Sequence, residues 1–470
     1  MTTVDLVVAG GIVVQPGGAA PGDVVVVGEC IVDVAAPGRA PSATRVIDAG
    51  GKIVLPGGVD VHTHFLIGFM RQRSVYDFYT GSIAALRGGT TTFIDFALQR
   101  RGRSMLDGVK HRRVQADRHV VCDYGLHLIA TDINDSSLAE LPELVEAGVT
   151  TLKVYMIYEK EQLRVDDGPL LELMKGAARC GMMVGLHAEN SSIIDYATQR
   201  CLAANQTAPR FHASSHPAIA EREAISRALI LAEAAGAAVY IFHMSIGAGV
   251  ELIAAARARG VRAFAETCTH YLALLDDKYD REDASLYVMS PPLRRAVDRD
   301  RLWEGLRDGL VAGVTSDDAS YSAEAKREHE ASFDAIPNGI PGVEVRLSVL
   351  YTLGVAAARL SLVQLAEICS GAPARLFGLS PQKGSIRGGA DADMVILDPE
   401  RRVRLSAASN YGPIGYSPYE GLEVTGIPLV TIRRGEVLVE SGQFLGREGS
   451  GRFLHRQLPD TVPGPSGFAP

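Results

Sequence analysis

The sequence predicts an α/β chain: a (β/α)8 TIM barrel with a small β-sandwich domain built from both chain ends. Three observations carry this. Through the middle of the chain, short apolar, β-branched runs alternate with alanine-rich stretches such as "GSIAALRGG", "LAELPELVEAG" and "AISRALILAEAAG". That is the pattern of repeated βα units on a parallel sheet. Eight such runs occur, enough to close a barrel. The two ends read differently, with period-2 alternation and frequent glycine, as antiparallel strands and tight turns do.

The elements follow in chain order. Residues 1–54 hold "DLVVAGGIVV", "GDVVVVGECIVDVA" and "TRVIDAGGKIVLPGG", the first half of the terminal domain. Residues 55–387 form the barrel. Its candidate strands are "IVLPGGVDVHTHF", "TTTFIDFAL", "HVVCDYGLHLIA", "VTTLKVYMI", "MMVGLHAEN", "AAVYIFHMS", "VRAFAETCTHYL" and "GLVAGVTSDDAS". Residues 388–446 return to the β texture in "ADADMVILDPERRVRL" and "PLVTIRRGEVLVESGQFLG". Residues 447–470, ending in "RQLPDTVPGPSGFAP", read as a C-terminal tail or oligomerisation arm.

Composition narrows the function. The chain has 470 residues, 47% of them hydrophobic, so it can bury a large core. No apolar run approaches the roughly 18 residues that span a membrane. The opening "MTTVDLVVAGGIVV" carries an early acid and no basic region, unlike a secretory leader. A net charge of -8 without a long basic block argues against nucleic acid as the partner. Cys30, Cys122, Cys180, Cys201, Cys268 and Cys369 form no CxxC pair, so they read as thiols of a cytoplasmic protein and not as a disulfide frame or cysteine-zinc site.

Reactive side chains cluster where a barrel does chemistry. His62 and His64 sit two apart on a strand, so they face the same side. His187 lies near the end of the fifth run, His243 at the end of the sixth and Asp317 at the end of the eighth. The C-terminal strand ends of a barrel converge on one face. Four histidines and an aspartate gathered there make a zinc-type ligand set. Each alone has an ordinary reading as a hydrogen-bonded core residue. The other histidines read as solvated or structural at 111, 119, 212, 216, 329 and 455, and as core or supporting residues at 127 and 270. Lys153 lies inside the apolar run "TTLKVYMI". An ammonium cannot bind a cation. Two readings stay open: a lysine that snorkels or pairs with an acid, or an amine that takes up carbon dioxide and bridges two metals as a carbamate.

The motifs "VDVHTHF", "LKVYMIY", "HAEN", "ETCTHYL", "MSPPLR", "SDD", "IPNGIPG", "GADADMVILD" and "YSPYEG", in this order, resemble those of the cyclic amidohydrolases. The resemblance is closest to the dihydropyrimidinase and hydantoinase branch and runs from about residue 5 to 455. It implies hydrolysis of a cyclic amide C–N bond, opening a dihydropyrimidine or hydantoin ring to an N-carbamoyl amino acid. It implies two divalent ions, usually zinc. His62, His64 and Asp317 would hold one ion and His187 and His243 the other, with Lys153 as the carboxylated bridge and a metal-bridging hydroxide as the attacking group. Asp317 would move the proton, Tyr158 would donate to the oxyanion, and Ser290 and Asn338 would hold the substrate's amide edge. A homo-oligomer, tetramer or dimer, is implied as well.

The chain also departs from that pattern. Asp318 stands where the branch usually has histidine, which raises the expectation of an altered proton path or a substrate with a cationic or donor-rich group. "TCTHYL" places Thr269 and His270 where the branch commonly has proline and glutamine. The alternatives are an allantoinase-like enzyme, a cyclic imide or lactam hydrolase and, last, a non-catalytic scaffold. Leu66 in place of an arginine weighs against a dihydroorotase, and Tyr158 weighs against an allantoinase.

Overall fold

The structure, a computed structural model, describes residues 3–69 and 72–458. Its centre is a parallel eight-stranded sheet. The strands are β1 (Gly58–Thr63), β2 (Thr90–Leu98), β3 (Asp123–Ile129) and β4 (Thr151–Tyr155). They continue with β5 (Met183–His187), β6 (Ala238–Ile241), β7 (Ala263–Cys268) and β8 (Gly313–Thr315). Each pairs with the next in sequence order. Every one lies inside a run expected from the sequence. Nearly all their residues are buried, as both faces of a helix-covered parallel sheet must be.

The seam between β8 and β1 is closed by a short backbone bridge and by buried side chains. Thr63 bridges Asp318, and the Asp318 carbonyl accepts from the His64 amide at 2.9 Å. The Asp60 carboxylate accepts from the Ser316 amide at 3.2 Å and lies 3.5 Å from the Arg346 guanidinium. Arg346 also donates to the Val314 carbonyl and to Thr90. A buried ion pair thus ties β1, β2 and β8 together.

The covering helices show why the alanine-rich stretches are helical. Helix Ala218–Ala235 buries Ala220, Ala224, Ile225, Ala228, Leu229 and Ala232, a stripe at three- and four-residue spacing. It stops at Gly236, whose φ of 64° suits the left-handed cap.

The first expected run is two strands. Ile53–Pro56 leaves the barrel and pairs antiparallel with Met394–Asp398, across the expected boundary at 54/55. This strand is the hinge of the terminal domain. One continuous sheet of nine strands takes in Val4–Gln15, Gly18–Val27, Cys30–Ala35 and Ala43–Asp48 from the front of the chain. From the back it takes Ile427–Arg433, Glu436–Glu440 and Gln443–Phe444. Val8, Val24, Val26, Ile31, Val54, Met394, Ile396 and Ile432 share a core of their own.

The described part of the expected tail packs on the barrel. Arg452 and Leu454 exchange backbone hydrogen bonds with Tyr124 on β3. Arg456 is buried, donating to Thr151 and to the Leu126 carbonyl. Residues 459–470 of that expected arm lie outside the described residues. No described helix is long and apolar enough to cross a membrane.

Candidate metal centre

Beneath the C-terminal strand ends lies a dry aromatic floor. Phe96 on β2 and Phe242 after β6 meet edge to face at 5.7 Å, and the His62 ring sits 4.9 and 4.8 Å from them. Phe242 can reach this position because residue 185 on β5 is glycine. A Cβ there would fall 2.1 Å from the Phe242 ring. Above this floor the polar groups are buried and lie close to one another.

His62 and His64 do face the same side. Their Nε2 atoms are 3.2 Å apart, and Asp317 Oδ1 lies 3.0 Å from the first and 3.3 Å from the second. His243 joins them: ligand atoms of His62, His243 and Asp317 all fall within 4.8 Å of one another, a group that could hold a metal ion. The His187 ring packs edge-on against His243 at 4.4 Å.

Carboxylates behind the rings fix which nitrogen faces the cleft. Glu266 on β7 takes His62 Nδ1 at 2.5 Å, leaving Nε2 for the cluster. Glu189 takes His187 Nε2 at 2.7 Å, leaving Nδ1. Such outer carboxylates orient and strengthen ligand histidines. Glu189 also takes His216 at 2.9 Å, so that residue is buried and structural, as is His212 on the Met289 carbonyl. Sequence reasoning assigned neither glutamate. The signal was there: an acid within or just past an apolar strand, facing inward.

The electrostatics follow from burial. Burial pushes the Lys153 ammonium down to about 8 against the pull of Asp317 and Glu266. Its Nζ lies 4.0 Å from the Phe242 ring centroid and has no hydrogen-bond partner among the described residues. Burial alone would raise the Asp317 carboxyl, but His62 and His64 hold it well below the usual carboxylate range. Burial lowers His64, His187 and His243, favouring the neutral imidazoles that ligate metals. It raises the Tyr158 phenol well above its usual value, so the hydroxyl keeps its proton.

Lys153, Tyr158, His187, His243, Ser290, Asp317 and Asn338 line one cleft with His64. Three of these, Tyr158 at φ 70°, His243 at 39° and Asp317 at 45°, sit in the left-handed region. Strain of this kind costs of order 1–3 kcal/mol per residue and gathers at functional sites. Tyr158 is held by a loop that folds back from β4. Its carbonyl accepts from the Leu163 amide, and the Val165 amide returns to Tyr155. Ser290 and Asn338 come from two loops that Lys326 joins. Its buried amine donates to the Val288 carbonyl at 2.8 Å and the Pro337 carbonyl at 2.9 Å. Next to Asn338, Gly339 adopts a φ of 139°, and a Cβ there would sit 2.6 Å from Ala319.

Asp318 corrects an expectation. Its carboxylate is turned away from the cleft, accepting from Ser320 at 2.6 Å and from the Gly342 and Val343 amides at 2.8 and 3.0 Å. The chain turns at Asp317, past the end of β8 with a φ of 45°, so that Asp317 faces the cleft while Asp318 anchors the loop behind it. The expected altered proton path and donor-rich substrate therefore lose their support.

The barrel and this cluster define the class. A model of the amidohydrolase family matches residues 53–438, and the chain belongs to that family. Its relatives narrow the branch. It is 40% identical to a D-hydantoinase of Ralstonia pickettii over 456 residues, covering 96% of this chain and 99% of that one. It is also 40% identical to a D-phenylhydantoinase of Escherichia coli O1:K1 over 87% of this chain and 89% of that one. The crystal structure of dihydropyrimidinase from Brevibacillus agri NCHU1002 superposes with a TM-score of 0.94 at 38% identity, covering 96% and 98%. Within the family the chain falls in the hydantoinase and dihydropyrimidinase branch.

Proposed function

We propose that this protein hydrolyses a cyclic amide of the hydantoin or dihydropyrimidine type, opening the ring to an N-carbamoyl amino acid. The chain is a hydrolase acting on cyclic amides, and the observation that carries the ring type is the cleft itself. One ionised carboxylate, one neutral phenol and a ligand cluster share a pocket in a chain about 40% identical to hydantoinases.

Each residue has a part. His62, His64 and Asp317 would hold one divalent ion and His187 and His243 a second. Two ions, zinc by the resemblance, would supply an acidified water and polarise the scissile carbonyl. Lys153 would bridge them as a carbamate. Its amine, lowered by burial, is partly neutral near pH 7 and can bond to the carbon of CO2, releasing one proton and gaining one negative charge shared by two oxygens. Asp317, ionised, accepts a proton and returns it to the departing ring nitrogen. Tyr158, neutral, donates to the oxygen on which charge develops. Ser290 and Asn338 hold the amide edge. Cys30, Cys122, Cys180, Cys201, Cys268 and Cys369 are unpaired, which fits a reducing cytoplasm. The assembly we infer by the same resemblance is a homo-oligomer, tetramer or dimer.

The test is ring opening by protein made with zinc and bicarbonate, on dihydrouracil, hydantoin, 5-phenylhydantoin, allantoin, dihydroorotate and succinimide. Turnover of dihydrouracil or a hydantoin is expected. Turnover of allantoin or succinimide alone would replace this reading with the corresponding branch.

A further inference from the structure

His270 has no part in the chemistry above, yet it is placed inside the same cleft. It follows β7, on the short helical turn Thr269–Ala273, and lines the pocket with Lys153, Ser290, Asp317 and Asn338. It is 1% exposed, and neither ring nitrogen has a hydrogen-bond partner among the described residues. Its environment differs from that of the other buried histidines. His127 is satisfied on both nitrogens, by Thr151 and by the Val61 carbonyl. His212 and His216 each hold a protein oxygen. A buried polar atom left unpaired is costly, so a histidine kept purely for packing would be a poor choice.

The neighbours of His270 fix its place. Thr269 donates to the Thr315 carbonyl at 3.3 Å, two residues before Asp317. Tyr271 donates to the Pro291 carbonyl at 2.6 Å, one residue after Ser290. The imidazole is therefore anchored between the segment carrying the proton-transfer carboxylate and the segment carrying the amide-edge contact. It packs against the Tyr271 ring at a centroid distance of 4.2 Å, which limits its freedom to turn. Burial lowers it to about 4. It therefore stays neutral at physiological pH, with one N–H donor and one lone pair to offer.

We propose that His270 is a substrate-contacting residue, one ring nitrogen pairing with the amide edge of the bound ring beside Ser290 and Asn338, and that it sets which ring this chain prefers. The proposal rests on the cyclic-amide reading above. It gives a meaning to a cleft-lining position where, by the resemblance, the branch commonly has glutamine. A glutamine amide also offers a donor and an acceptor, but on a longer, more flexible stem. Replacing it with a rigid imidazole keeps the hydrogen-bonding type and changes the distance at which it acts.

The test compares the parent with His270→Gln and His270→Ala. KM and kcat are measured on dihydrouracil, hydantoin and 5-phenylhydantoin, with bound zinc determined for each protein. Calorimetric binding of the ring-opened product, N-carbamoyl-β-alanine, gives a readout that needs no turnover. His270→Ala is expected to raise KM about tenfold, the worth of one hydrogen bond, and to weaken product binding. Zinc should stay unchanged and kcat within about threefold. His270→Gln is expected to shift the ratio of kcat/KM between the six- and five-membered rings. Should His270→Ala fail to fold, the glutamine variant carries the test alone. Unchanged KM, product affinity and ring preference in the folded variants would overturn the proposal. A parent that opens none of the rings would instead sink the functional reading on which it rests.

Discussion

Lys153 and Tyr158 differ in a way that separates metal assembly from catalysis. Lys153 is buried on the aromatic floor, its amine has no hydrogen-bond partner among the described residues, and the proposed function makes it an anionic bridge. Lys153→Ala should lose most of the bound metal and activity together, and a short carboxylic acid in the buffer should restore part of both. Full activity without the added acid would end the bridging role. Tyr158→Phe should keep the metal while kcat falls about 100- to 1000-fold, the usual worth of one oxyanion donor. An unchanged kcat would return Tyr158 to a packing role. At this scale the sequence was legible where a strand's period sorts its residues: His62 and His64 are two apart and face together. Asp317 and Asp318 lie past the end of β8, where the chain turns, so no strand period shows that they face apart. The partners of Glu266 and Lys326 were hidden because they lie 204 and 38 residues away, at His62 and Val288, whereas Glu189 stands two residues from His187.

The loops are the elements that shape the pocket, and Lys326 is the device that sets two of them. It lies on helix Ala323–Glu328 with no carboxylate among its hydrogen-bond acceptors, and burial lowers its ammonium well below the usual value. Its amine draws together carbonyls one residue before Asn338 and two before Ser290. His212 and the Gly339 amide pull on the same strands of chain, through the Met289 and Val288 carbonyls. Lys326→Met should leave those two carbonyls less satisfied, lowering stability by about 1–3 kcal/mol. It should also raise KM about tenfold while kcat and bound metal change little, because the metal ligands come from the strands. Lys326→Gln, which keeps a donor, should recover part of the KM. A loss of stability with KM unchanged would show that the lysine serves packing and not the pocket. The strands themselves were readable from apolar runs, and all eight were located. The splitting of the first run at Pro56 and Gly57 was not, since it depends on a partner strand at 394–398 that only the folded chain brings near.

At the level of the whole molecule, the barrel, the terminal sheet and the C-terminal segment meet in one buried ion cluster. Lys383 Nζ lies 2.7 Å from Asp123 at the start of β3, 2.8 Å from Asp391 and 2.9 Å from Asp393 ahead of strand Met394–Asp398. Arg434, after strand Ile427–Arg433, pairs with Asp123, which also accepts from the Arg452 amide at 3.0 Å. The textures of the two chain ends foretold a shared domain, but not this fastening, whose members are spread from residue 123 to 452. Burial would raise the Asp123 carboxyl, yet Lys383 and Arg434 hold it below the usual value. A lowered folded-state value stabilises the protein above the ordinary carboxylate value of about 3.9, and that stabilisation is lost as pH falls through the folded-state value. Lys383→Met removes the cation shared by three buried carboxylates, which typically costs about 3–5 kcal/mol at pH 7. In that variant burial favours the protonated Asp123 carboxyl, so its deficit against the parent should shrink as pH is lowered from 7.5 toward 4. Urea unfolding of both proteins at pH 7.5, 6 and 5 checks this. A deficit that stays constant across the series would mean that Lys383 holds the two domains by shape alone, and that the charge it carries does not fasten them.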